Sequence, residues 1–336
     1  MDSKQFITVN NDKKRVNHFK NIGLYILKNR TITLFFLILI VSIVASMVYK
    51  TFPTAANFRA IILNMSIDTI IAIGMMILLI SGVFDLSVGS VIALSGAIAA
   101  RLVYYQHFNT WVAIAITMLI CLAIGLFNGV MIAKVGVNPM IVGISMMGIL
   151  RGVAMLVAGS GIANLPKEFI KIADIQLLGF RIPVWYMLIL VLIFNLLVTK
   201  TKFFKRYFYI GGNEKAAMLS GINVSKMRII SFMISSGLAG LGGIILTSRL
   251  GAAVSSTGQS MEMRAITACI LGGASLAGGQ GGIVGAALGT LFMGLINNLM
   301  VISKVSTNWQ SIVIGVILML AITLDVFITK RTRVKN

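Results

Sequence analysis

The sequence predicts an all-α polytopic membrane protein, and three observations carry that prediction. Of 336 residues, 58% are hydrophobic and 11% charged, where a soluble domain carries roughly 25% charged residues. The mean hydropathy is +0.96. Apolar runs approaching the roughly 20 residues that a bilayer crossing requires recur along the whole chain.

Runs bounded by charge, proline or glycine clusters mark about ten transmembrane helices. They lie near 31–49, 60–81, 87–104, 111–133, 139–158, 184–199, 229–248, 265–277, 283–302 and 309–329. Residues 1–30 are polar and basic, without a small-residue cleavage site, and read as a cytoplasmic tail rather than a cleavable signal. Residues 31–329 then form the transmembrane domain, 200–228 a cytoplasmic loop within it, and 330–336 a second short tail. With the N-terminus inside, 19 of the 29 Lys and Arg residues fall on the inner side. That bias places both termini in the cytoplasm. Trp111, Trp185 and Trp309 fall where spans begin from the outer side, as an interfacial aromatic belt requires.

The net charge of +20 fits basic loops against anionic lipid and argues against a nucleic-acid partner. Cys121 and Cys269 lie inside apolar runs and read as small buried hydrophobes, not as a disulfide framework.

Residues 60–100 and 265–303 contain no Lys or Arg, and each stretch is long enough for two crossings. Both must reverse at a weak point: between Gly82 and Gly89 in the first, and in "GGASLAGGQGG" (272–282) in the second. Non-helical backbone at membrane depth is tolerated only when buried in protein or lining a cavity. The expected plan is therefore two related halves with interrupted helices. At the first break Asp85 or Ser87 caps the following helix, and a carboxylate there meets the positive end of its dipole. Asp85, Ser87 and Gly89 are on this reading structural residues. The second stretch is no phosphate loop, because it lacks the Lys of G-x-x-x-x-G-K-[ST]. Nothing in the chain binds a nucleotide, a metal or another cofactor.

Within the loop "KTKFFKRYFYIGGNEKAAMLSGINVSKMR" (200–228), Asn213 is a helix cap, Glu214 suits the first turn, and Gly221 suits the position after the last. The short helix so defined is either a docking element for a cytoplasmic partner or part of a basic loop resting on lipid headgroups.

Ionisable groups inside a membrane are costly and often functional. Asp68 falls near the middle of the second span, with Asn64 one turn earlier on the same face. These residues either line a solute pathway or bond neighbouring helices, and the same two readings hold for Asn297 and Asn298. Glu262 and Arg264 are expected at the outer face, docking a partner or pairing with each other. Asp325 is expected at the inner interface near Lys330.

"GVFDLSVGS", "IGGNEKAAMLSGINVSK" and "GGASLAGGQGGIVGAALGTL", in this order and spacing, resemble the permease subunits of ribose-type carbohydrate ABC importers. The resemblance runs from about residue 55 to 328. It implies a bacterial plasma (inner) membrane location and a coupling helix built from Gly212, Asn213, Glu214, Ala217 and Gly221. It also implies a cytoplasmic ATP-binding subunit that holds ATP and Mg, an extracytoplasmic solute-binding protein, and a second permease copy or paralogue. This chain would then move a small sugar or sugar-like solute without being an enzyme itself.

Three departures from the family pattern stand out. "SGVFDLS" replaces the typical "GGIDLS". Asp68 stands where a neutral polar or small residue is usual. "MEMRAITA" carries Met263 and Arg264 where an Asp-containing "LDAIAA" is common. The competing class is a secondary transporter that uses Asp68 or Asp85 as a proton or cation site, and a channel or scaffold is a third.

Overall fold

A computed structural model describes residues 30–333. The expected N-terminal tail, Arg30 apart, and the last three residues lie outside the described residues. Thirteen α-helices occupy most of the chain: α1 (Arg30–Val48), α2 (Ala55–Ile80), α3 (Val88–Tyr104), α4 (Thr110–Val130), α5 (Pro139–Ala158), α6 (Lys167–Asp174), α7 (Ile182–Lys200), α8 (Lys202–Gly212), α9 (Glu214–Leu219), α10 (Val224–Leu250), α11 (Met261–Leu271), α12 (Ile283–Ile302) and α13 (Thr307–Arg333). A π-helical turn, Met131–Val135, extends α4, and a two-residue hairpin, β1 (Gln176–Leu177) with β2 (Phe180–Arg181), precedes α7.

Each predicted span falls on a helix, and the chain is an all-α multi-pass membrane protein. Among the described residues, seven helices are long and apolar enough to cross a bilayer: α1, α2, α4, α5, α7, α10 and α12. The predicted spans in α3 and α13 hold shorter apolar stretches, and α11 is the shortest of all. It has 11 residues, about 16 Å at the helical rise, roughly half a hydrocarbon core. The predicted span 265–277 therefore ends at Leu271, where the glycine-rich stretch begins.

The long α2 and α10 form the centre. From Ile70 to Ile80 the apolar residues of α2 are almost wholly buried, as expected of a helix that is hydrophobic on every side. α10 packs against α2, α3 and α4, while α12 packs against α2 and α11. The outer helices α1, α5 and α7 present large apolar residues outward, including Met47, Leu156 and Leu192, which suits a lipid-facing surface.

Six helices carry side-chain caps at their starts. Thr54, Asn109, Asn138, Thr201, Asn213 and Asn223 each accept a hydrogen bond from a backbone N–H in the first turn of the helix they start. α3, α6, α7, α11 and α12 have no such cap, and three of them, α3, α11 and α12, start beside the breaks and the reaching loop described below.

The first break is shorter than expected, running from Ser81 to Ser87. Gly89 is not part of it: it sits in the first turn of α3, where a Cβ would meet the Gly258 carbonyl 2.6 Å away. The expected cap is absent as well. Asp85 Oδ1 accepts hydrogen bonds from Ser87 N–H (2.8 Å) and Ser87 Oγ (2.6 Å), and Ser87 Oγ also accepts from Asn128 Nδ2 at 3.2 Å. The carboxylate thus closes a tight Asx turn just ahead of the helix instead of capping its first N–H groups. Asp325 also departs from expectation. It is buried, and its Oδ2 accepts from Ser275 Oγ (3.2 Å) and Leu276 N–H (3.3 Å), so α13 holds the second break.

Candidate functional site

Two regions carry the chemistry, a cavity and a loop that meets both membrane breaks. The first is a cavity of about 300 Å³ bounded by α2, α10, α11, α12 and α13. That volume sits at the lower end of small-ligand sites. Apolar walls come from Ile67, Leu246, Met261, Met293, Ile296 and Met300, while Asn64, Asp68, Arg249, Arg264 and Asn297 supply the polar groups. The 3.6-residue repeat of α2 puts Asn64 and Asp68 on one face, one turn apart. Asp68 Oδ2 lies 3.6 Å from Arg264 Nη1, and Arg249 Nη2 donates to Asn64 Oδ1 at 2.7 Å.

The segment between α10 and α11 closes one wall of this cavity through Thr257 and Gly258. Arg151 of α5 fastens it, donating from Nη1 to the Ser255 carbonyl (2.6 Å) and the Thr257 carbonyl (2.8 Å). Gly89 has no side chain to block it, so the segment reaches the start of α3.

Of the residues read from sequence as candidates for the pathway, Asn64, Asp68 and Asn297 line the cavity. Asn298 does not: its amide pairs with that of Asn57, with Nδ2 to Oδ1 distances of 2.7 and 3.2 Å in the two directions. Nor do Glu262 and Arg264 form an ion pair with each other. Arg264 turns to Asp68, and Glu262 is buried against Gly89.

The second region is the α8–α9 loop. Thr201 caps α8, whose buried face is Phe204, Tyr207 and Ile210 and whose outer face carries Lys202, Lys205, Arg206 and Tyr209. Edge-to-face and tilted contacts among Phe194, Phe203, Phe204 and Tyr207 fasten α8 to the end of α7. Tyr207 donates its hydroxyl to the Met227 carbonyl at 3.2 Å, and burial pushes its phenol well above the ordinary value.

Asn213 then caps α9 by accepting from Ala216 N–H at 3.0 Å. Glu214 is held by a two-pronged ion pair with Arg228 of α10, the strong geometry for guanidinium and carboxylate. Ala217 is buried. Gly221 ends the helix at φ +79°, while Ile222 N–H bonds back to the Ala217 carbonyl, an arrangement that favours glycine. The expected coupling residues therefore build and hold α9. Its exposed face consists of other residues, Met218 and Leu219, with Leu219 91% exposed. A groove of about 670 Å³ lies between α8 and α9.

The loop meets the two breaks at Gly82, Gly211 and Gly278. Gly278 sits at φ +85°, and a Cβ there would lie 2.8 Å from Gly211 Cα and 2.9 Å from Gly82 Cα. Gly279 N–H donates to the Ile80 carbonyl at 2.9 Å. The end of α8 thus rests directly on both breaks at once. Gly212, singled out from sequence, has open space around it, and its neighbour Gly211 is the packed residue. The doublet in "YIGGN" was the signal, but only the three-dimensional contact shows which glycine is confined. Arg249 was likewise missed, since a single arginine at a span end looks like an ordinary flanking charge. Among the described residues, no group of three or more His, Cys, Asp or Glu is placed to hold a metal.

Residues 57–322 match the family described as branched-chain amino acid transport system / permease component. The chain is similar to the ribose import permease protein of Haemophilus influenzae, 34% identical over 93% of this chain and 97% of that protein. It resembles the ribose import permease protein of Escherichia coli K12 at 38% identity over 86% and 91%. Against the L-arabinose ABC transporter permease protein of Azospirillum brasilense, identity is 34% over 90% of this chain and 89% of that protein. No solved structure matches.

Proposed function

The chain belongs to this family of transport permease components, alongside the ribose and arabinose permeases, and from that membership we propose that it is the membrane subunit of an ABC importer. It moves a small sugar or sugar-like solute across the bacterial inner membrane, with both termini in the cytoplasm. A separate cytoplasmic subunit, holding ATP and Mg, supplies the energy. A second permease, copy or paralogue, completes the pathway, and an extracytoplasmic protein delivers the solute.

The observation that carries the proposal is the seat of α9. A capped, ion-paired helix with an exposed Met218–Leu219 tip starts three residues after Gly211, the glycine that contacts both membrane breaks. Force applied to α9 reaches the segments leading into α3 and α12 without passing through a flexible linker. Packed elements transmit displacement in this way because close-packed interiors are stiff. Of the helices flanking the breaks, α3 packs against α10 and α11 against α2, and α2, α10 and α11 line the cavity. A secondary transporter has no use for an exposed helix placed there.

The test is to purify the chain alone and together with the products of neighbouring genes, and to measure ATP hydrolysis. The expected result is none from the chain alone, and hydrolysis stimulated by the loaded binding protein from the complex. Solute transport by the chain alone, without an ATPase, would refute the proposal.

A further inference from the structure

We infer that the solute passing through the cavity is anionic, a small polyhydroxy compound bearing an oxyacid group such as a carboxylate or phosphate. This inference rests on the importer reading and narrows its substrate. The argument starts from charge. The cavity is lined by one carboxylate, Asp68, and two guanidiniums, Arg249 and Arg264. Asp68 lies within ion-pair distance of Arg264. Arg249 forms no ion pair among the described residues, and the partner of its Nη2 is the neutral Asn64 amide oxygen.

Neighbouring charges do not offset this excess. Arg181 is close enough for its charge to act on Arg249, and its own partner is Asp174 at 3.5 Å. Arg59 lies against the β1–β2 turn at Gly179 and forms no ion pair among the described residues. Glu262 is outside the cavity lining and faces Arg151 and Gly89. In the cavity lining itself two guanidiniums thus stand against one carboxylate.

A cleft with low-dielectric walls and an excess of one sign gathers solutes of the opposite sign. A guanidinium matches an oxyacid group through two parallel hydrogen bonds. The remaining polar groups, Asn64, Asn297 and Asp68, suit hydroxyls. A neutral pentose or hexose would leave Arg249 opposed only by Asp68, whose carboxylate is already paired with Arg264, whereas a sugar acid or sugar phosphate would bring a negative charge of its own.

The whole importer, expressed with its neighbouring ATPase and binding-protein genes in cells lacking their own sugar uptake, provides the test. Accumulation is measured for matched radiolabelled pairs: ribose with ribonate, galactose with galacturonate, and ribose with ribose phosphate. The expected result is accumulation of an anionic member in about tenfold excess over its neutral parent, on the scale of one charge-assisted contact. Arg249→Gln should remove most of that excess, and Arg249→Lys should restore part of it. Preferential uptake of a neutral parent, unchanged in Arg249→Gln, would overturn the inference and leave the importer reading standing. ATP hydrolysis by the complex without accumulation of any anionic probe would also count against it. Absence of hydrolysis from the assembled complex would instead overturn the importer reading.

Discussion

Asp68 of α2 and Arg264 of α11 face each other across the cavity at 3.6 Å. The half-length α11 places Arg264 at the level of the middle of α2. Each side chain is partly accessible, at 16% and 27%, so the pair is neither sealed in the core nor free in water.

The pair predicts coupled mutational effects. Breaking a buried ion pair strands one charge, and for a partly open pair the expected loss is about 1–3 kcal/mol. Asp68→Asn and Arg264→Gln should each lower the thermal stability of the detergent-solubilised protein. The double variant should lose less than the sum of the two. Strict additivity would show that the two residues act independently.

The glycine contact predicts a contrast between neighbours. Gly278→Ala adds a Cβ against Gly211 and Gly82 at positive φ, and such strain costs about 1–3 kcal/mol. Gly212→Ala meets open space and should leave expression and melting temperature nearly unchanged. Equal tolerance at both sites would remove the proposed mechanical link.

Asp85 predicts dependence on shape rather than charge. Asn retains an oxygen able to accept both Ser87 hydrogen bonds, so Asp85→Asn should transport nearly normally. Asp85→Leu orphans a buried N–H and a hydroxyl, at about 1–3 kcal/mol each, and should reduce folded yield. A well-folded, transport-dead Asp85→Asn would assign the charge itself a role.

The exposed tip of α9 predicts where the ATP-binding subunit contacts the chain. Leu219→Cys should cross-link to that subunit, while a cysteine at the lipid-facing Leu156 should not. Equal labelling would place the docking surface elsewhere.

Much of this architecture was legible in the sequence because its causes are local. Apolar run length sets where helices cross, and the bounds of α9 follow from Asn213 and Gly221, whose capping and positive φ are properties of single residues. What escaped depends on contacts distant in sequence. The confinement of Gly211 rather than Gly212 and the Asn57–Asn298 pair arise where segments 67 to 241 residues apart meet. Asp325 looked interfacial for the same reason, since its partners Ser275 and Leu276 are about 50 residues away. Arg249 became informative only once the cavity placed it opposite a single carboxylate already held by Arg264.

The most direct measurement is solute uptake into proteoliposomes containing the complete complex, with and without ATP on the ATPase side, for the unaltered chain and for Gly221→Val. Valine at φ +79° disrupts the end of α9 while leaving the cavity intact. The account predicts uptake that requires ATP, resists a proton uncoupler and is abolished by Gly221→Val in a complex that still assembles. Uptake that survives Gly221→Val and collapses with the uncoupler would contradict it.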